Sequence, residues 1–155
     1  MRTINCFIPF LNAEQVKATI AGLKACELVN KIYLLAGADA EGEVEGCEKI
    51  EIKGLNSSDT MKKIAAKADA DYVMLYTKHN TLEFGMFAIE RMLHIADDSA
   101  AGMVYADHYN VVGETRNNAP VIDYQKGSLR DDFNFGSVLL FNACVFKNAV
   151  AKIDK

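Results

Sequence analysis

Long apolar runs, paired cysteines and glycine-rich phosphate loops are all missing from this sequence, and each absence removes a class of protein. The apolar stretches fall well short of the ~20 residues that a bilayer-crossing helix needs, so no transmembrane segment is expected. No charged-then-apolar leader precedes the first strand pattern, which makes the cytoplasm the expected compartment. Cys6, Cys26, Cys47 and Cys144 form no C-x-x-C pair, so they read as reduced thiols acting as small apolar side chains and not as a metal cluster. Positive charge is also scarce. The 17 Lys and Arg against 21 Asp and Glu leave a net charge of -4, the wrong sign for a protein that grips nucleic acid through its phosphates.

The familiar catalytic signatures are absent as well. Where G-x-G-x-x-G or G-x-x-x-x-G-K would follow the first strand, Pro9-Phe10-Leu11-Asn12 stands instead. That disfavours dinucleotide-binding Rossmann enzymes and P-loop nucleotidases. It also disfavours sugar-phosphate nucleotidyltransferases, whose loop at this point is rich in glycine. There is no G-x-S-x-G elbow. His79, His94 and His108 show neither H-x-H nor H-E-x-x-H spacing, and His94 reads as a helix-surface or partly buried side chain. Repeats and low-complexity segments are missing too.

What remains is an alternation of strands and helices over 155 residues, a length that suits one domain with a sizeable core. Apolar runs predict strands over residues 3–9, 31–36, 72–76, 102–106 and 137–141, with a weaker alternating one over 48–52. Helical spacing appears in Val16, Ile20 and Leu23, then in Met61, Ile64, Ala65 and Ala68, and again in Ile89, Met92, Leu93 and Ala96 of a helix expected over 84–96. A last helix is expected from 142 onward. Asn12 with Gln15 has capping-box spacing, and Ser57 or Ser58 is placed to cap the second helix. Gly113, Asn117, Asn118 and Pro120 mark residues 110–127 as a hairpin or extended excursion. The fold class is therefore α/β, a mostly parallel central sheet flanked by helices with a late hairpin. Cys6, Ile8, Leu34, Val73, Leu75, Val104 and Leu139 should be buried.

One stretch organises the chain. The run Tyr72–Tyr76 is apolar and aromatic throughout, then breaks into Thr77, Lys78, His79 and Asn80. In an open α/β sheet ligands bind at the carboxyl ends of strands, where such breaks fall.

The segments Ile8-Pro9-Phe10-Leu11-Asn12, Ala70-Asp71-Tyr72-Val73-Met74-Leu75-Tyr76 and Gly102-Met103-Val104-Tyr105-Ala106-Asp107-His108-Tyr109 occur in an order that resembles the inverting family-two glycosyltransferases of the GT-A fold. The resemblance implies transfer of a sugar from a nucleotide-diphosphate sugar to a saccharide or lipid-linked acceptor. It places Pro9, Phe10 and Asn12 near the nucleoside, Gly37 and Asp39 near the base, and Thr77, Lys78, His79 and Asn80 near the pyrophosphate. The family's Asp-x-Asp, which holds Mg²⁺ or Mn²⁺, aligns with Thr77-Lys78-His79, so the carboxylates for a divalent cation are missing and Lys78 is left to meet the diphosphate. Asp107 matches a family carboxylate. Asp131 and Asp132, beside Phe133 and Phe135, fall where the family faces donor sugar and acceptor, and with Asp107 they are the candidate catalytic carboxylates. The family's general base lies further on, so the resemblance implies that this chain stops short of it. A GT-A-like binding or scaffold domain without activity is the alternative.

Overall fold

The computed structural model describes residues 1–127 and 129–153. Among them the element order is β1 (Ile4–Phe10), α1 (Ala13–Lys24), β2 (Val29–Ala36), β3 (Glu48–Glu51), α2 (Ser58–Lys67), β4 (Tyr72–Tyr76), α3 (Ala88–Ser99), β5 (Met103–Tyr105), β6 (His108–Val112), β7 (Thr115–Ala119), β8 (Val138–Asn142) and α4 (Ala143–Val150). Six strands form one sheet in the order β3-β2-β1-β4-β8-β5, while β6 and β7 pair only with each other. The pairings β3-β2, β2-β1 and β1-β4 are parallel. Strand β8 is antiparallel to both neighbours, so β5 runs the same way as β4.

Pleating explains why the central strands are apolar at nearly every position. Alternate residues point to opposite faces, and both faces are covered. Ile4, Cys6, Ile8 and Phe10 of β1 and Tyr72, Met74 and Tyr76 of β4 pack with Val16, Ile20 and Leu23 of α1 and Ile89, Met92, Leu93 and Ala96 of α3. On the other face Phe7, Val73 and Leu75 meet Ile64 of α2 and Phe146 and Val150 of α4, and Phe7 stacks on Tyr33 with ring centroids 4.8 Å apart. Burial raises the pKa of the Cys6 thiol well above its ordinary value, as expected for a thiol serving as an apolar side chain; Cys144, by contrast, is exposed.

Asn5 is fully buried in this apolar setting, and its amide is satisfied on both sides. Its nitrogen donates to the Lys67 carbonyl at 3.0 Å and to the Asp69 carboxylate, and its oxygen accepts from Asn30 at 3.2 Å. Since an unsatisfied buried amide is costly, these bonds fix β1 against the end of α2 and the entry to β4.

Two expectations need correction, the start of α3 and the burial of Leu139, and one strand takes a direction the sequence does not indicate. Helix α3 begins at Ala88 and not at residue 84, because a turn closed by Ala88 N–H to the Gly85 carbonyl at 3.0 Å precedes it and Phe87 sits at φ 57°. The strand expected over 137–141 does form, but it enters the sheet backwards between β4 and β5. Leu139 is only half-buried, since β8 has just the three-residue β5 beyond it.

Two measurements test this account. Leu75→Ala should cost about 2–5 kcal/mol in denaturant unfolding, the range for truncating a buried leucine, and Leu139→Ala should cost clearly less. The second concerns pH. Hydrogen bonds from Lys31 and Asn5 hold the Asp69 carboxyl below its usual range. A depressed carboxylate stabilises the fold above its unfolded pKa of ~3.9 and loses that contribution as pH falls through the lower folded value. Lys31→Met should therefore lower the urea midpoint at pH 7, and the gap from wild type should close in acid.

Candidate functional site

At the carboxyl end of β1 the chain turns into α1 within two residues. The Asn12 side-chain oxygen accepts from Gln15 N–H at 2.9 Å, as the capping spacing implies. Gln15 does not return to the Asn12 amide. Its oxygen accepts from Leu11 N–H at 2.9 Å, and its nitrogen donates to the Pro9 carbonyl at 3.3 Å and the His79 carbonyl at 2.7 Å. Pro9 and Phe10 are buried, and Phe10 lies in the core at 1 % exposure. Of the three residues expected near the nucleoside, therefore, only Asn12 is exposed, and its oxygen is already a cap. A glycine loop at a helix start leaves amides pointing at a phosphate. Here the Leu11 and Gln15 amides are bonded internally.

The end of β4 is different. Thr77 donates to the Ser137 carbonyl through its amide at 2.9 Å and its hydroxyl at 3.1 Å, and then Lys78, His79 and Asn80 are exposed. Next to Ser137, Gly136 adopts φ 84° close under the Ala106 carbonyl and His108. One residue further, Asp107 accepts from Val121 N–H at 2.8 Å, which ties the base of the hairpin back to the sheet. Tyr105 donates to the Ile122 carbonyl at 2.9 Å and meets Phe135 edge-on at 5.2 Å, with Phe133 against Phe135 at 4.5 Å. Thr77 and Asp107 thus share one edge through Ser137 and Gly136. Asp131 and Asp132 are exposed on the segment leading into β8, where Asp132 lies 3.6 Å from Arg130. Gly37 and Asp39 sit in the exposed turn after β2, whose Glu41 amide reaches the Leu11 carbonyl at 2.8 Å.

Sequence reading overlooked several residues. Gln15 was legible as a cap but not as the link between two strand ends. His108 has a buried Nδ1 without a hydrogen-bond partner, and nothing in its spacing marks it out. Two cavities, of about 620 and 590 Å³, lie at the opposite edge, where Arg2, Asp71, Asp97, Asn142, Cys144 and Lys147 line the first; Arg2 and Asp97 also line the second. Among the described residues no group of three His, Cys, Asp or Glu is placed to hold a metal ion. The donor set does not fit a protein-held divalent cation.

No family model and no curated protein matches the chain. Solved structures do. A CMP:2-keto-3-deoxy-manno-octonic acid synthetase complexed with CTP superposes with a TM-score of 0.59 at 12% identity, over 99% of this chain and 79% of that one. A 4-diphosphocytidyl-2C-methyl-D-erythritol synthase gives 0.59 at 13%, over 100% and 81%. The 2-C-methyl-D-erythritol 4-phosphate cytidylyltransferase of Thermus thermophilus gives 0.57 at 14%, over 97% and 75%. At these identities the likeness establishes the fold, an α/β sheet of the GT-A-like kind found in nucleotidyltransferases. It also overturns two expectations. The neighbours are cytidylyltransferases and not glycosyltransferases, so sugar transfer from a nucleotide sugar is not supported, and the inactive glycosyltransferase-like scaffold fits no better. The missing glycine loop, taken as evidence against nucleotidyltransferases, does not exclude their fold.

Gly136 offers a test of how tightly this edge is built. Its φ of 84° is strained for any side chain, and an added methyl group would stand 3.4 Å from the Ala106 carbonyl. Gly136→Ala should cost about 1–3 kcal/mol in denaturant unfolding, whereas Lys78→Ala, at an exposed position, should stay within about 0.5 kcal/mol.

Proposed function

We propose that the carboxyl edge of the sheet binds a cytidine nucleotide and that the chain is a nucleotidyltransferase-type domain. The observation that carries this reading is the exposed Lys78-His79-Asn80 run at the end of the central strand β4, on a fold shared over nearly its whole length with cytidylyltransferases. In such a transfer an acceptor oxygen attacks the α-phosphorus of CTP, a new P–O bond forms, and the bond to pyrophosphate breaks with the electron pair leaving on pyrophosphate. The growing charge on the leaving group needs a fixed cation. With the Leu11 and Gln15 amides bonded internally, Lys78 is the group proposed to supply it, as a point charge.

Asp107, and beyond it Asp131 and Asp132, are proposed to accept hydrogen bonds from the hydroxyls of the ribose or of an acidic or phosphorylated acceptor. Carboxylates have the acceptor-only geometry that this requires. Asn12, Gly37 and Asp39 border the same edge and are proposed to lie toward the base.

Titration calorimetry and thermal shift with CTP, CDP and UDP-glucose test this. CTP should raise the unfolding temperature by mass action, and Lys78→Ala should weaken CTP about tenfold, the size of one lost charge-assisted bond. A UDP-sugar bound in preference to CTP, or CTP affinity indifferent to Lys78→Ala, would remove the proposal.

A further inference from the structure

Helix α1 carries Gln15, Thr19 and Gly22 at i, i+4 and i+7, on one stripe of its surface. All three meet the segment that follows β4. Gln15 donates to the His79 carbonyl at 2.7 Å, and Thr19 accepts from Leu82 N–H at 3.0 Å. Phe84 packs over Gly22, its ring carbon 3.6 Å from where a β-carbon would stand. Thr19 is 2 % exposed in spite of its hydroxyl, and that hydroxyl serves the loop. The segment ends at Phe87, whose left-handed φ of 57° is unusual for a bulky residue; such a conformation persists only where the surroundings over-determine it. Lys78 therefore sits between two anchors, Thr77 held on Ser137 and His79 held on Gln15.

We propose that Gln15 and Thr19 are positioning residues that moor the segment 77–87 on α1, so that Lys78 is presented to an anionic ligand at a fixed place. This rests on the nucleotide reading above. The physical benefit is preorganisation: a loop already fixed by α1 loses less conformational freedom when the ligand arrives. Gln15 also bonds Leu11 and Pro9, so one side chain links the carboxyl ends of β1 and β4.

Gln15→Glu isolates the effect. It keeps an oxygen for Leu11 N–H but replaces the donor to His79 with a second oxygen that faces the Pro9 and His79 carbonyls. Thr19→Val, which removes the acceptor for Leu82 N–H, provides an independent second variant. In the full chain, amides of residues 77–83 should exchange at least about tenfold faster in both variants, with β1 and β4 unchanged. CTP should bind Gln15→Glu about tenfold more weakly than wild type. In a Lys78→Ala background the same change should cost less than about twofold, because the two residues act through one interaction. Unchanged exchange in both variants, or equal weakening with and without Lys78, would overturn the proposal. If wild type does not bind CTP while the variants exchange faster, the nucleotide reading fails and the mooring alone survives.

Discussion

The strand Ile4–Phe10 is buried at every residue, and much of the architecture follows from that constraint. A strand without a solvent face must have a sheet on both sides and a helix layer above and below. The chain meets the demand with β2 and β4 as parallel neighbours, α1 and α3 on one face, and α2 and α4 on the other. The one polar intruder, Asn5, is accommodated only because Asn30, Lys67 and Asp69 all reach it. With both faces closed, only the ends and edges of the sheet are left open to solvent.

The two ends are not equivalent. At the amino end, charges pair with one another: Arg2 reaches Asp71 and Asp97, and Lys31 reaches Asp69. At the carboxyl end, hydrogen bonds to the backbone do the anchoring, several of them made by the side chains of Gln15, Thr19 and Thr77, and Lys78, His79 and Asp107 stay exposed. The two cavities of about 620 and 590 Å³ lie at the amino end, where Arg2 is paired with Asp71 and Asp97. The first turn of α4 there is likewise occupied, since Asn142 takes the Cys144 and Val145 amides and the Asp71 carbonyl takes that of Ala143.

How far the sequence revealed this depended on the kind of information required. Element type was readable where both faces of a strand are apolar, as in Tyr72–Tyr76, or where one helix stripe is, as in Ile89, Met92, Leu93 and Ala96. Periodicity carries no sign of strand direction, so the reversal of β8 was invisible. The opening of α3 was misread because Phe84, Met86 and Phe87 look helical while Phe87 turns the backbone left-handed. The break after Tyr76 was legible as a strand end, because an apolar run there gives way to the exposed residues Lys78, His79 and Asn80. The chemistry was not. Short motifs suggested glycosyl transfer, whereas the assembled fold groups with cytidylyltransferases, and the double role of Gln15 depends on His79, 64 residues away.

The placement of β8 also sets an order of events when the chain is made. Strand β4 takes its outer partner from residues Val138–Asn142, so about 60 residues must leave the ribosome after Tyr76 before that edge is closed. At roughly 5–20 residues per second this is a wait of several seconds. During it the parallel half, β3-β2-β1-β4, presents an apolar strand with unpaired amides and carbonyls, a template for any extended chain nearby. A nascent molecule halted between Tyr76 and Val138 is therefore the form most exposed to aggregation, and the one for which chaperone capture has the most to protect.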